Sequence, residues 1–473
     1  VIKLRRPILV SGAVALLAGC AGAPAYHPPV VAAPATFRET GVWVPASTSA
    51  DMAPADWWRA LGDPQLDMLE DRLSTGSPTL AAALARNTEA QAALKVALSN
   101  GLPTIGGTAN LGYDRQSDDR PLRGGPTQPA QYGNNQIGLG VSYELDLWGR
   151  IRDSIAAGRA DAQASAADTA AIRLSLQAQL ATSYIVLRGL DDQTRVLERA
   201  IAADREADQV VSARYRGGVA TGIDTGRSGA QLADAEAQLA DVRAARARVE
   251  HAIATLVGAP ASAFALPPAI SGLHVAIVPT GLPSTLLQRR PDVAAAERRM
   301  VAANREIGIA RDAFLPTVNL AAQGGTNATT IAGLAAAPNA FWAIGPMVAF
   351  TLFDGGRRKA GVAAARARWD EAAANYRATA LTAFQEVEDS LSGLHHFGDE
   401  DAAASRAADQ AQQAADLSTI LYEKGATNYL DVVTAQTTAL FEQRRAIEVH
   451  TLRLNAAVSL ARAVGGGWVP GAK

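Results

Sequence analysis

The sequence predicts a mainly helical protein that carries four β-strands in two pairs and is written twice along its own length. Three observations lead there: an alanine-rich, aromatic-poor composition, two proline-free stretches of about 65 residues, and a self-match at a constant offset. Hydrophobic residues make up 48% of the 473 residues but aromatics only 5%, so alanine carries much of the apolar share. Alanine is the best helix former and lets backbones approach closely. The composition therefore favours long, tightly packed helices over a bulky core.

Charge excludes some functions. Charged residues are 19% of the chain, and Lys+Arg 44 against Asp+Glu 46 leaves a net charge of −2, with none of the basic bias that nucleic-acid binding requires. One cysteine permits no intrachain disulfide. Past residue 20 no apolar run reaches 18 residues, the length of a membrane-spanning helix.

The amino terminus reads as an address. Lys3, Arg5 and Arg6 precede an apolar run from Ile8 to Leu17, the layout of a secretory signal over residues 1–19. It leads into Leu17-Ala18-Gly19-Cys20, which resembles the lipobox of bacterial lipoproteins, with Cys20 as the lipidated first residue after cleavage. Ala21 follows where lipoproteins retained at the inner membrane often carry Asp, which points to export to the outer membrane. Residues 20–63, with Pro24, Pro28, Pro29 and Pro34, read as an extended arm.

The repeat organises the rest. At an offset of 207, Leu145 meets Leu352, Arg150 meets Arg357, Tyr215 meets Tyr422, Gly218 meets Gly425, Asp224 meets Asp431, and Val257-Gly258 meet Val464-Gly465. Upstream, Leu102-Pro103-Thr104 pairs with Leu315-Pro316-Thr317 at offset 213. The first copy is assigned residues 64–285 and the second 286–473. In the first, helix is expected over 64–99, a strand over 104–114, a polar loop from Arg115 to Gln131, and a strand over 136–147. There Ile137, Leu139, Val141, Tyr143 and Leu145 alternate with Gly138, Gly140, Ser142, Glu144 and Asp146, so one face of a sheet is apolar and the other is not. Helices over 150–215 and 223–257 complete it. The second copy runs through a helix 286–313, strands 317–325 and 342–353, and helices 357–422 and 430–464. A 65-residue helix is about 100 Å long. By length, 223–257 with 286–313, and 430–464 with 64–99, each add up to about one such helix, giving an antiparallel bundle.

Four strands leave two open edges, and a lipid-anchored chain lies beside a membrane. Association of copies that closes these strands into a barrel makes the one kind of sheet able to span lipid, its lumen face carrying Glu144, Asp146 and Thr351. The two glycine turns, Arg216-Gly217-Gly218-Val219-Ala220 and Glu423-Lys424-Gly425-Ala426, suit helix ends that need a positive φ. Asp431, like Asp224, lies near a helix start, where an acid is favourable by ~0.3–1 kcal/mol. No catalytic constellation accompanies them. The six histidines are scattered apart from His395-His396, neighbours that point to different sides of a helix. There is no HExxH, P-loop or GxSxG, so no enzyme, cofactor or nucleotide-driven step is expected. Met52, Met68, Met300 and Met347 are too dispersed for a soft-metal relay.

These residues together resemble the bacterial outer membrane factors of the TolC and OprM type, in the NodT-like lipoprotein branch. The most specific stretch is Leu282-Pro283-Ser284, Leu286-Leu287-Gln288-Arg289-Arg290-Pro291-Asp292, Ala296-Glu297 and Ile307-Gly308. Trp57-Trp58, Gly62-Asp63-Pro64, Leu430-Asp431-Val432 and Gly465-Gly466-Gly467-Trp468 also match. The resemblance implies a homotrimer with a 12-stranded barrel, four strands per chain, continuing into a 12-helix periplasmic tunnel. It implies the outer-membrane channel of a tripartite efflux pump, a passive exit duct for small molecules delivered by an inner-membrane transporter and a periplasmic adaptor. The turns at Gly217, Gly218, Val219 and at Lys424, Gly425, Ala426 would contact the adaptor, and Leu430 and Asp431 would narrow the tunnel in three-fold rings. Thr434 and Thr437 stand where some relatives have Asp and Arg, so a second ring is not matched. The alternatives are the duct of a heavy-metal or protein-secretion system and, in a different class, a lipid-anchored periplasmic scaffold.

Overall fold

The computed structural model describes residues 22–34, 36–39, 55–117, 130–275 and 287–469. The expected signal peptide, Cys20 and Leu282-Pro283-Ser284 lie outside them. The elements are α1 (Pro64–Gly76), α2 (Pro78–Ser99), β1 (Thr104–Arg115), β2 (Gln131–Glu144), α3 (Arg150–Arg216), α4 (Gly222–Leu256), α5 (Pro291–Asp312), β3 (Thr317–Ala328), β4 (Ala340–Ala349), α6 (Arg357–Glu423) and α7 (Tyr429–Ala463). The helix expected over 64–99 is two, because Ser77 is extended and Pro78 opens the next. The repeat is exact in length: 67 residues in α3 and α6, 35 in α4 and α7, 22 in α2 and α5.

Contacts divide the chain into two compact units, and each draws on both copies of the repeat: one comprises 1–29, 88–164 and 296–375, the other 30–87, 165–295 and 376–473. The first unit holds a four-stranded antiparallel sheet in the order β1-β2-β3-β4. Its register puts Ile105 opposite Val141, Val141 opposite Ala322 and Ala322 opposite Ile344. Residues opposed in this way share a face. Beyond the strands, Asp146 accepts N–H bonds from Gly149, Ile151 and Arg152 at 3.0–3.1 Å and so caps α3. Two lumen expectations need correction: β2 ends at Glu144 and β4 at Ala349, so Asp146 and Thr351 lie past the strands, and Asp146 is committed to the helix start. Ala157 and Ala160 of α3 bury against Ala302 of α5, the close approach that small side chains permit.

The second unit has the main core, built on Leu66, Leu73, Leu180, Tyr184, Ile253 and Leu391 with the Trp57-Trp58 pair. Asp63 caps α1 through the Gln65 N–H (2.9 Å) and accepts the Tyr184 hydroxyl at 2.6 Å. Arg290 donates to Asp292, to Glu386 (2.6 Å) and to the Ala463 carbonyl at the end of α7 (3.2 Å). The short helices also meet differently from the arithmetic of length. A Cβ on Gly258, past α4, would sit 2.0 Å from the Gly76 carbonyl oxygen, and one on Gly465, past α7, 2.3 Å from that of Arg289. The end of α4 therefore abuts the start of α2, and α7 that of α5: partners come from the same copy, since summed length cannot tell α2 from α5 when both have 22 residues.

Candidate functional site

Two regions present features that a soluble core does not need. The first is the sheet. Along one face run Ile105, Leu111, Tyr113, Ile137, Leu139, Val141, Leu320, Trp342, Ile344 and Val348, all exposed in the single chain, Leu139 at 65% and Trp342 at 80%. The opposite face carries Thr104, Thr108, Asn110, Asn134, Gln136, Ser142, Asn319 and Gln323, with glycines and alanines between, and in β4 also Phe341 and Met347. Such a patch extends far beyond a scattered exposed Leu. The edges, β1 and β4, have one unpaired side each. Strands of 10–14 residues equal or exceed the 9–11 needed to cross a bilayer. No described helix is long and apolar enough to cross one.

The second region is the pair of helix tips. α3 ends in a Schellman motif: Gly218 has φ 75°, its N–H reaches the Tyr215 carbonyl at 3.0 Å, and the Val219 N–H reaches that of Arg214 at 2.9 Å. α6 ends identically, with Gly425 at φ 73°, Gly425 N–H to Tyr422 at 2.9 Å and Ala426 N–H to Leu421 at 2.8 Å. Gly217, Gly218, Val219, Lys424, Gly425 and Ala426 are all exposed. The structure brings the two turns together, through a residue the sequence did not single out. Arg214 stacks 4.4 Å from the Tyr422 ring centre and donates to the carbonyls of Tyr422 (3.2 Å) and Glu423 (3.1 Å), capping the partner helix.

Past the turns, Thr221 and Asp224 form a capping box, with Asp224 accepting the Thr221 N–H at 2.9 Å and returning its own N–H to the hydroxyl. Those backbone and hydroxyl donors hold the Asp224 carboxyl below its usual range. At the start of α7 Asn428 is the cap, accepting the Asp431 N–H at 3.1 Å, while the Asp431 carboxylate takes the Thr427 hydroxyl. Leu430 (45%) and Asp431 are both exposed, and Tyr429 between them and the turn is buried at 3% against Val211 and Val432. Burial, with Asp204 as the next cause, pushes the Tyr429 phenol up to about 12.

Behind the tips lies a groove of about 1070 Å³ lined by α3, α4, α6 and α7, including Asp204, Gln231, Gln436 and Arg444. Asp204 accepts the Gln231 amide at 2.7 Å, and that amide also reaches Gln436 at 3.1 Å. Burial raises the Asp204 carboxyl to about 6. Asp204, Tyr429 and Arg214 went unnoticed in the sequence. In the self-match Asp204 falls against Ala411 and Arg214 against Leu421, but most aligned positions of these two helices differ, so neither mismatch marks the residue.

Comparison with known proteins decides the family. A sequence profile of the outer membrane efflux proteins matches residues 70–259 and 282–466. The chain belongs to that family. This outer membrane efflux protein is 31% identical over 459 residues to the pyoverdine export outer membrane protein OpmQ of Pseudomonas aeruginosa, covering 96% of this chain and 95% of OpmQ. It is 29% identical to the outer membrane protein OprJ of the same organism, covering 96% and 94%. The open-state structure of the Neisseria gonorrhoeae MtrE outer membrane channel superposes with a TM-score of 0.82 at 27% identity, over 95% of this chain and 99% of MtrE. The efflux protein thus has the outer-membrane channel fold, mainly α with strands of a membrane barrel, and its place is the outer membrane.

Proposed function

We propose that this efflux protein is the passive outer-membrane duct of a tripartite pump, acting as a homotrimer on small molecules. The observation that carries the reading is the sheet: four strands apolar on one face, mostly small and polar on the other apart from Phe341 and Met347 of β4, with two open edges. Three copies joined edge to edge make a closed 12-stranded barrel with lipid outside and a wet lumen. The similarity to OpmQ, named for pyoverdine export, supports a small-molecule cargo. Cys20 carries the lipid, and at ~0.8 kcal/mol per buried CH₂ three acyl chains anchor firmly. The periplasmic adaptor engages the turns at Gly217, Gly218, Val219, Lys424, Gly425 and Ala426 and connects the duct to an inner-membrane transporter, which supplies the energy. Leu430 and Asp431, both exposed, with the helix capped by Asn428 and the Asp431 carboxylate held, among the described residues, by the Thr427 hydroxyl alone, form the constriction; three carboxylates on one axis repel anions and bind cations.

Single-channel conductance in planar bilayers, comparing wild type with Asp431→Ala, tests this. A low, cation-selective conductance that rises and loses selectivity in the variant is expected. Channels indifferent to the substitution would return Asp431 to a capping role, and a well-folded protein that stays monomeric in detergent and in bilayers would overturn the duct.

A further inference from the structure

The motif Ile307-Gly308, the tail of the most specific stretch of the sequence, has no part in the duct or its tips. In the structure Gly308 lies under the amino-terminal arm. A Cβ there would fall 2.3 Å from Asp153 Oδ2, 2.5 Å from the Ala23 nitrogen and 2.7 Å from the Ala23 Cα, so only glycine lets the arm lie this close to α5. Around this notch the arm is held at three successive residues. The Gly22 N–H donates to Asp312 Oδ1 at 3.1 Å, the Ala23 N–H to Asp153 Oδ2 at 2.9 Å, and the Asn304 side chain donates to the Pro24 carbonyl at 2.9 Å. Arg305 pairs with the other oxygen of Asp153 at 3.0 Å. Asn304, Gly308 and Asp312 stand at i, i+4 and i+8 on one stripe of α5, and Asp153 is in the first turn of α3.

The repeat shows that this stripe is not simply part of the helix packing. At the matching offset of 213, α2 has Gln91, Ala92, Lys95 and Ser99 where α5 has Asn304, Arg305, Gly308 and Asp312, and Ala360 stands for Asp153 at offset 207. The chain has two such helices but one amino terminus, and only one helix carries the notch. Asp312 is 97% buried, and its second oxygen has no partner among the described residues. Burial raises its carboxyl above the usual range, the Gly22 N–H opposes that, and Asp153 and Asp146 add to the rise while Arg150 opposes it. The site thus has room for one more N–H donor.

We propose that Asp153, Asn304, Gly308 and Asp312 form a docking site for the lipidated amino-terminal segment of this chain, and that it sets where the acyl chains enter the membrane. The inference rests on lipidation of Cys20. Gly22 is pinned two residues past that cysteine, and two residues of extended chain span at most about 7 Å. The acyl chains therefore leave at the junction of strand and helix, where Leu147, Phe314 and Phe350 are exposed and apolar.

The experiment uses cells fed a palmitate analogue bearing a diazirine, with the full chain purified after irradiation and its peptides read by mass spectrometry. In wild type the label is expected on the amino-terminal peptide through Cys20, with cross-links concentrated on peptides containing Leu147, Phe314 and Phe350. In Gly308→Leu the cross-links should spread, and hydrogen exchange at Gly22 and Ala23 should rise about tenfold, the loss of one or two hydrogen bonds. Glu388→Ala is the control. It frees the Arg38 and Glu39 N–H groups, which donate to Glu388 at 2.9 and 3.1 Å, and should leave residues 22–24 unchanged. Should Gly308→Leu fail to fold, Asn304→Ala gives the same shift in smaller measure. Unchanged cross-links and exchange in folded variants would overturn the docking site. An unlabelled amino-terminal peptide in wild type would instead remove the lipid, and with it the anchoring role, while exchange still reports whether the arm is clamped.

Discussion

The two helix tips share a backbone and differ in what their side chains do. Both end a 67-residue helix in a Schellman turn on a left-handed glycine, and both open a 35-residue helix four residues after that glycine. In the first copy the acid is engaged: Asp224 closes a capping box on Thr221. In the second, Asn428 caps alone, Tyr429 replaces Gly222 and buries itself, and Leu430 and Asp431 are exposed, the Asp431 carboxylate taking only the Thr427 hydroxyl among the described residues. Duplication supplied two equal scaffolds, and a few substitutions turned one toward structure and left the other's acid exposed.

That contrast can be broken in graded steps. The largest effect is expected from Tyr429→Ala, which empties the site packed against Val211 and Val432. It should cost about 3–5 kcal/mol in denaturant unfolding, whereas Gly222→Ala at the matching place should change little. Next comes Asp204, buried in the first-copy helix where the second has Ala411. Its folded pKa of about 6 lies above the ordinary 3.8 of an aspartate, so the unfolded state releases the proton first. Stability should fall as pH rises from about 4 to 6 and then level off, by roughly 1–3 kcal/mol. Asp204→Asn should flatten this part of the profile and be the more stable protein at pH 7.

Arg214→Ala should cost about 1–2 kcal/mol by removing two carbonyl bonds and a ring contact. Leu421→Ala, its half-exposed counterpart, should cost less, and hydrogen exchange across residues 421–427 should rise in the arginine variant alone. The smallest effect separates the acids themselves. Asp224→Ala loses the capping box and about 0.5–1 kcal/mol, while Asp431→Ala retains the Asn428 cap and should fall below that. Equal losses in thermal unfolding would mean that the tips have not diverged.

Much of this was legible in the chain. Period-two alternation from Ile137 to Leu145, proline-free runs and terminal glycines are local signals, and they located the strands, the long helices and the turns to within a few residues. What sequence could not reveal depends on contacts between distant segments. Equal lengths left open which short helix meets which, until the close approaches at Gly258 and Gly465 decided it. Asp146 has the same place in the alternation as Glu144, yet only the turn into α3 makes it a cap. Arg214 and Asp204 are ordinary residues of a helical pattern, and Gly308 stood out only as part of a resemblance, with no role attached. Their roles follow from what lies across from them: the carbonyls ending α6, the amide of Gln231, and the arm at Ala23. Periodicity is set by bonds between neighbours along the chain, so the sequence by itself determined the elements and their duplication. Partnership is set by which surfaces meet, and that was decided only when separate segments, 27 residues apart at Asp204 and Gln231 and 208 apart at Arg214 and Tyr422, were brought within hydrogen-bond distance.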